Sequence, residues 1–325
     1  MELSSYYLNK DIQNIIIDSC KDKEVAVKLG EKGFAKRPNM LQYPQDIIEF
    51  TKDGATSFHN SEEHWRNPME LEPGMSKKKL DDLRVGWDLI LDVDSEDLED
   101  SKIITHYLIE ALKFNDVENI YVKYSGNKGF HIGVGFNSFP NIIDSKETKN
   151  EFPDGPRIIL EYLMNMITPK IRELYGSKFE EILKVDTVLI SSRHMYRAPY
   201  SLHEKSGLVS LPIDIDKVLG FKKEQAMPER VKAYKIFLAN TQTYPDASKL
   251  IIQAYDWDMK RKRIKDMKEE LGEIKKDLKY DEVVDAIPEE FFPDSIKKGL
   301  EGINDGKKGF LFVLITLVLY CFCID

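Results

Sequence analysis

Cysteine is scarce in this 325-residue chain: Cys20, Cys321 and Cys323 are the only three. That number and spacing exclude a zinc knuckle and a disulfide framework, and the chain reads as intracellular and cytoplasmic. An excess of positive charge is also missing. Against 47 Lys and Arg stand 56 Asp and Glu, a net charge of −9, so no global field draws the protein to nucleic acid and any polyanion must be held by a local basic groove. The start, "MELSSYYLNKDIQ", has no basic stretch followed by an apolar one, which argues against a secretory signal. Internal repeats and low-complexity linkers are absent too. Long apolar runs are few. The one at the end, Phe310 to Ile324 in "GFLFVLITLVLYCFCID", would make a helix about 22 Å long, short of the roughly 30 Å hydrocarbon core. It is expected to be a packing or partner helix with no membrane role, and its abrupt ending leaves a truncation open.

A hydrophobic fraction of 42% is ordinary for a globular protein and supplies a core. Ile12, Ile15, Ile16 and Cys20 share one face of an early helix, and "EVAVKLG" alternates like a strand. A strand ends at Asp94, and the helix "SEDLEDSKIITHYLIEALKF" follows. "IYVKYSG" and "GFHIGVGF" read as strands joined by the glycine-bearing turn "SGNKG", hence as a hairpin. A helix covers 156 to 180, "VDTVLIS" reads as a strand, and a long charged helix fills most of 257 to 287. The expected division is a catalytic domain over 1–235 and a helical accessory region over 236–325.

Three clusters carry chemistry. In "WDLILDVDSED" the residues Asp92 and Asp94 sit two apart, so on a strand they project from one face, where like charges need a cation between them. A strand entering a helix, with Asp94 or Ser95 as its cap, is the competing reading; it leaves Asp92, flanked by apolar residues, without a reason. In "KYSGNKGFHIGV", Ser125, Lys128, His131 and the amides near Gly126 and Gly129 suit a polyphosphate, although a solvated hairpin tip has the same composition. In "DTVLISSRHMYRAPYSLHEKSGLVSLP", Asp186 offers a third acid. There Arg193, Arg197, His203 and Lys205 supply positive charge, with Tyr196 and Tyr200 interleaved, a mixture suited to nucleotide or strand contacts and also found in solvated basic loops. His194 is assigned no role.

Taken in order, these clusters resemble the archaeo-eukaryotic primase superfamily, in particular the small catalytic subunit of archaeal DNA primase. "DLILDVD" looks like its paired metal-binding aspartates, "YSGNKGFHIGV" like its nucleotide motif S-G-x-K/R-G-x-H, and "RAPYSLHEKSGLVSLPID" like its basic P-x-S-x-H-x-K-x-G segment. The upstream "KRPNMLQYP" and "GATSFHNSEEHWRNPMEL" share the likeness, which runs over roughly residues 5 to 217. The resemblance implies a mixed α/β primase-polymerase core with an antiparallel sheet of the RNA-recognition-motif kind, flanking helices and a helical C-terminal region. It implies Asp92, Asp94 and Asp186 as ligands of two Mg2+ or Mn2+ ions. Ser125, Lys128 and His131 would grip the triphosphate; Arg197, His203 and Lys205 would contact nucleotide phosphates.

The implied activity is primer synthesis or extension from nucleoside triphosphates on a single-stranded DNA template, with a primase large subunit as a possible partner. Residues 135 to 185 contain no cysteine, unlike many relatives, so no zinc is expected. "FFPDSIKKGLEGINDGKKGFLFVL" resembles the start of the large-subunit iron–sulfur domain, cut before its cluster ligands, so no cluster is expected either. Two other classes fit parts of the pattern: a non-catalytic nucleic-acid-binding or assembly subunit, and a D-x-D glycosyltransferase.

Overall fold

The computed structural model describes residues 3–182, 190–238, 244–277 and Asp294. Asp186 and the apolar run Phe310 to Ile324 lie outside those residues, as does most of "VDTVLIS". In chain order, α1 (Leu3–Tyr7) and α2 (Lys10–Ser19) precede β1 (Val25–Lys28), and α3 (Pro44–Lys52) precedes β2 (Ser57–Ser61) and β3 (Glu63–Trp65). Then come α4 (Lys77–Leu83), β4 (Arg84–Trp87), β5 (Leu89–Val93), α5 (Leu98–Phe114), β6 (Tyr121–Tyr124) and β7 (Phe130–Val134). A short hairpin of β8 (Ile142–Ile143) and β9 (Lys146–Glu147) leads to α6 (Asp154–Tyr175) and α7 (Phe179–Ile182). The strands β10 (Met195–Arg197) and β11 (Pro212–Ile213) and the helix α8 (Ser248–Asp277) complete the series. Residues Met1–Arg263 form one compact unit and Ile264–Asp325 a second.

The fold is mixed α/β. One sheet has the order β1-β2-β10 and the other β11-β6-β7-β5, and every pair within them is antiparallel. The "SGNKG" turn does join a hairpin, β6 to β7. The chain leaves β5, crosses through α5 and returns as β6, with β7 inserted between the two.

Side-chain alternation gives the four-stranded sheet two different faces. Leu89, Leu91 and Val93 of β5, Val122 and Tyr124 of β6, and Phe130, Ile132 and Val134 of β7 are buried in one cluster with Ile104, Leu108 and Leu112 of α5 and Ile159 and Leu163 of α6. Each such burial stabilises by roughly 1.5–3 kcal/mol, so this face anchors the strands. The other face carries the intervening residues, among them Ile90, Asp92, Tyr121, Lys123 and His131. There Ile90 packs with Tyr196 of β10 and with Phe237, which brings the second sheet against the first.

Helix ends follow their capping chemistry, with one difference from expectation. α5 starts at Leu98, and Asp97, not Asp94 or Ser95, is its cap, its side chain accepting from the Glu99 N–H. Asp94 is therefore free of helix capping. α8 begins at Ser248, nine residues ahead of the charged stretch, because Leu250, Ile251 and Ala254 are buried in the main core. Among the described residues no helix is long and apolar enough to cross a membrane.

Candidate active site

A cavity of about 200 Å³ is lined by His59, Asp92, Asp94, Ser125, Asn127, His131, Met195, Tyr196, Arg197 and His203. The two sheets each supply part of it. β2 brings His59 and β10 brings Met195, Tyr196 and Arg197, which stand side by side because Arg197 pairs with His59 in register. β5 brings Asp92 and β7 brings His131, which are also register partners. The turn after β6 adds Ser125 and Asn127, and the loop after β10 adds His203.

Glycine makes these approaches possible at two places. A Cβ on Gly129 would lie 2.1 Å from the Val93 carbonyl oxygen, so only glycine lets the hairpin close onto the end of β5 beside Asp94. Gly126 has φ +101°, and a Cβ there would meet the His203 Cβ at 2.7 Å, so glycine also brings the basic loop against the turn. The Ser206 hydroxyl bonds the Gly126 carbonyl, tying the two together.

The cavity mixes acids with imidazoles and an arginine, and His131 Nε2 lies 3.4 Å from Asp92 Oδ1. The Asp92 carboxyl is pushed up to about 6, by desolvation first and then by the charge of Asp94. Partial desolvation raises Asp94 as well, although its side chain is exposed, against the pull of Lys128. Two carboxylates crowded this way favour a cation between them, and their hard oxygens suit Mg2+ or Mn2+. Among the described residues no group of three or more His, Cys, Asp or Glu stands close enough to hold a metal ion. A third carboxylate would have to come from Asp186, outside the described residues.

Imidazoles and a guanidinium share the same cavity. Burial and the nearby Arg197 push His59 down to about 3, and burial with Lys123 and Arg197 holds His131 well below its ordinary value. Burial and Arg197 lower His203 too. Arg197 is 8% exposed; it donates to the Leu202 carbonyl at 2.9 Å and pairs with Glu204 at 2.7 Å. Such a cluster gains by taking up an anion, which would offset the mutual repulsion.

Of the residues singled out in the sequence, Asp92, Asp94, Ser125, His131, Arg197 and His203 converge on this cavity. Lys128 is exposed on the turn, close enough to Asp94 to draw its pKa down. Lys205 is exposed and is not among the lining residues; its backbone N–H bonds His203 Nδ1 at 3.3 Å.

Other parts of the basic segment go elsewhere. Arg193 is consumed by Glu24, Nε to Oε2 at 3.0 Å, and Arg37 grips the same carboxylate at 2.9 Å. Tyr200 is 1% exposed in the core around α2, β1 and β2, so it offers no open stacking surface. Tyr196 keeps contact with the cavity, but its hydroxyl is held by Lys23 at 3.1 Å.

Sequence reasoning missed His59, Asn127 and Met195 as lining residues. His59 gave little signal, since it is one of four polar residues in "SFHNS", and only the structure shows that strand buried at every position.

No family model matches the chain. An uncharacterised protein of Methanocaldococcus jannaschii is 26% identical over 200 residues, 59% of this chain and 42% of that protein. The match thus spans less than half of that relative's length. The DNA primase small subunit of Pyrobaculum calidifontis is 28% identical over 270 residues, 70% of this chain and 82% of the subunit; that of Pyrobaculum aerophilum is 27% identical over 253 residues, 64% and 79%. The polymerase domain of Mycobacterium tuberculosis ligase D, solved in complex with DNA, superposes with a TM-score of 0.48 at 14% identity, over 67% of this chain and 81% of that one. None of these relatives is a primase large subunit, so the likeness of the tail to the iron–sulfur domain gains no support from them. In sequence the chain is a distant relative of the archaeal DNA primase small subunits.

Proposed function

We propose that this chain is a template-directed nucleotidyltransferase that makes or extends primers on single-stranded DNA. One observation carries the reading. Two acids, Asp92 and Asp94, and the donors Arg197, His131 and His203 line one small cavity, a set of groups suited to a triphosphate carrying a metal ion. The distant kinship with archaeal primase small subunits supports the same reaction class.

In the reaction the primer 3′-hydroxyl oxygen bonds to the α-phosphorus of the nucleoside triphosphate and the bond to the β-phosphate oxygen breaks, releasing pyrophosphate. Asp92 and Asp94, with Asp186, would hold two Mg2+ or Mn2+ ions, which when bound supply positive charge to the attacking hydroxyl and the leaving pyrophosphate. Arg197, His131 and His203, which line the cavity, would donate to phosphate oxygens. Ser125 and the turn amides would add donors beside His203, and Lys128, exposed on the same turn, would add a positive charge.

The test is metal-dependent incorporation of labelled nucleotides on a primed single-stranded template, with and without an added primase large subunit. Incorporation that needs Mg2+ or Mn2+ is the expected result. Template binding with no incorporation would turn the reading to an assembly subunit, and transfer from a nucleotide sugar would turn it to a glycosyltransferase.

A further inference from the structure

Asp92, His131 and Lys123 form a row across three adjacent strands. His131 is the register partner of Asp92 on one side and of Lys123 on the other, so the three side chains rise from the same face of the sheet. Lys123 is wholly buried, at 0% exposure. Its Nζ lies 2.8 Å from His131 Nδ1 and 2.8 Å from Ser210 Oγ. Ser210 donates its own proton to the Tyr124 carbonyl at 3.1 Å, so its oxygen accepts from Lys123. The rings of Tyr196 and Phe237 lie 5.5 and 5.4 Å from the ammonium and give it partial compensation.

Among the described residues no carboxylate bonds to Lys123. A buried ammonium held only by neutral groups is an expensive way to fill space, and a methionine would fill nearly the same volume with no charge to bury. What the lysine adds is a donor. Burial and Arg197 hold Lys123 well below its ordinary value, so its charge alone does not fix the ring; the geometry does, because Asp92 Oδ1 is an acceptor facing Nε2, which suits a proton on Nε2 and leaves Nδ1 to accept from Lys123. Nε2 lies 3.4 Å from Asp92 Oδ1, at the cavity wall.

We propose that Lys123 is a positioning residue that locks His131 in its Nε2–H tautomer, so that the imidazole presents a proton, and not a lone pair, to Asp92 and to an anionic phosphate in the cavity. A hydrogen bond at the far ring nitrogen sets which nitrogen carries the proton. The role toward phosphate rests on the nucleotidyl-transfer reading; the tautomer does not.

The experiment uses the full chain labelled with 15N-histidine, free of metal and nucleotide, with long-range proton–nitrogen correlation spectra. The His131 signals are identified by their loss in His131→Gln. In the wild type, His131 should show a protonated Nε2 and an unprotonated Nδ1. Lys123→Met should shift the Nδ1 resonance and mix the tautomers, and Lys123→Arg, which restores a donor, should recover the wild-type pattern. In parallel, Lys123→Met should lower kcat/KM for nucleotide about tenfold, the size of losing a group that orients a functional histidine, leave template affinity unchanged, and be rescued in part by Lys123→Arg.

A wild-type His131 carrying its proton on Nδ1 overturns the proposal, and this measurement holds even if Lys123→Met does not fold. An unchanged His131 spectrum in folded Lys123→Met also overturns it. If the wild type incorporates no nucleotide while its His131 spectrum is as expected, the nucleotidyl-transfer reading fails and the tautomer assignment stands.

Discussion

Arg197 and Glu204 close on each other beside the cavity, Nη2 to Oε2 at 2.7 Å, so the buried guanidinium is already partly neutralised before any anion arrives. A triphosphate must share Arg197 with that carboxylate. Glu204→Gln removes the competitor while keeping the shape of the side chain. KM for nucleotide should fall roughly three- to tenfold with kcat little changed, the pattern of altered uniform binding. A rise in KM would show that Glu204 serves to aim Arg197.

Loss of the acids and loss of Lys128 should differ in kind. Asp92→Ala or Asp94→Ala should cut turnover by on the order of 10²–10³-fold or more, the scale of losing a preorganised electrostatic stabiliser, while the fold survives because a repulsive pair has been relieved. Lys128→Ala should raise KM for nucleotide and also slow turnover, with template affinity hardly altered. Steady-state incorporation against nucleotide and metal concentration, beside template anisotropy, separates the two. Wild-type turnover in the Asp92→Ala, Asp94→Ala double variant would end the proposed mechanism.

Gly129→Ala places a methyl 2.1 Å from the Val93 carbonyl oxygen, against backbone that cannot swing aside. The expected loss is about 1–3 kcal/mol, as for other forced insertions into a packed site, read as a lowered urea midpoint. Because the strain falls between β5 and the turn, turnover should drop by more than the stability change accounts for. An unchanged midpoint would mean that the two segments separate easily.

Asp88 sits under the site between Lys23, at 2.6 Å, and His64, at 2.8 Å. With Asp88 1% and Lys23 4% exposed, Asp88→Asn leaves a buried ammonium unpaired and should cost roughly 3–5 kcal/mol. The pH dependence follows from the partners. Lys23 and His64 hold the folded Asp88 carboxyl below its ordinary value despite burial, so its stabilising contribution is complete above the unfolded value near pH ~4 and is lost as pH falls through the folded one. Lys23, raised by Asp88 against the effect of burial, keeps its share below the unfolded lysine value near pH ~10. The gap between wild type and Asp88→Asn in denaturant melts should shrink in acid, as pH falls through the folded Asp88 value. A gap that widened in acid would contradict this assignment.

What was legible in the sequence is what local chemistry governs. Alternation over "LILDV" sends Leu89, Leu91 and Val93 to the core and leaves Asp92 on the opposite face. The glycines of "SGNKG" close β6 onto β7 and bring Ser125 and His131 to one end of the sheet. Both results depend on steric rules that act over a few residues. The capping residue of α5 was less legible, since Asp94, Ser95 and Asp97 all have capping side chains and only the path of the chain chooses Asp97.

Tertiary structure decided how the basic segment is shared out. Arg193 and Arg197 are four residues apart in one short stretch, yet the first is bound by Glu24 and the second lines the cavity. The same holds for His59, which reaches the site because β2 pairs with β10, placing it opposite Arg197. Lys123 gains its partner only through the register that sets it against His131. Strand register and the packing of one sheet on another are set by summed burial over residues distant in the chain. No local pattern around a single arginine, histidine or lysine carries that information, which is why the sequence alone could name candidate chemistry but not which groups would meet.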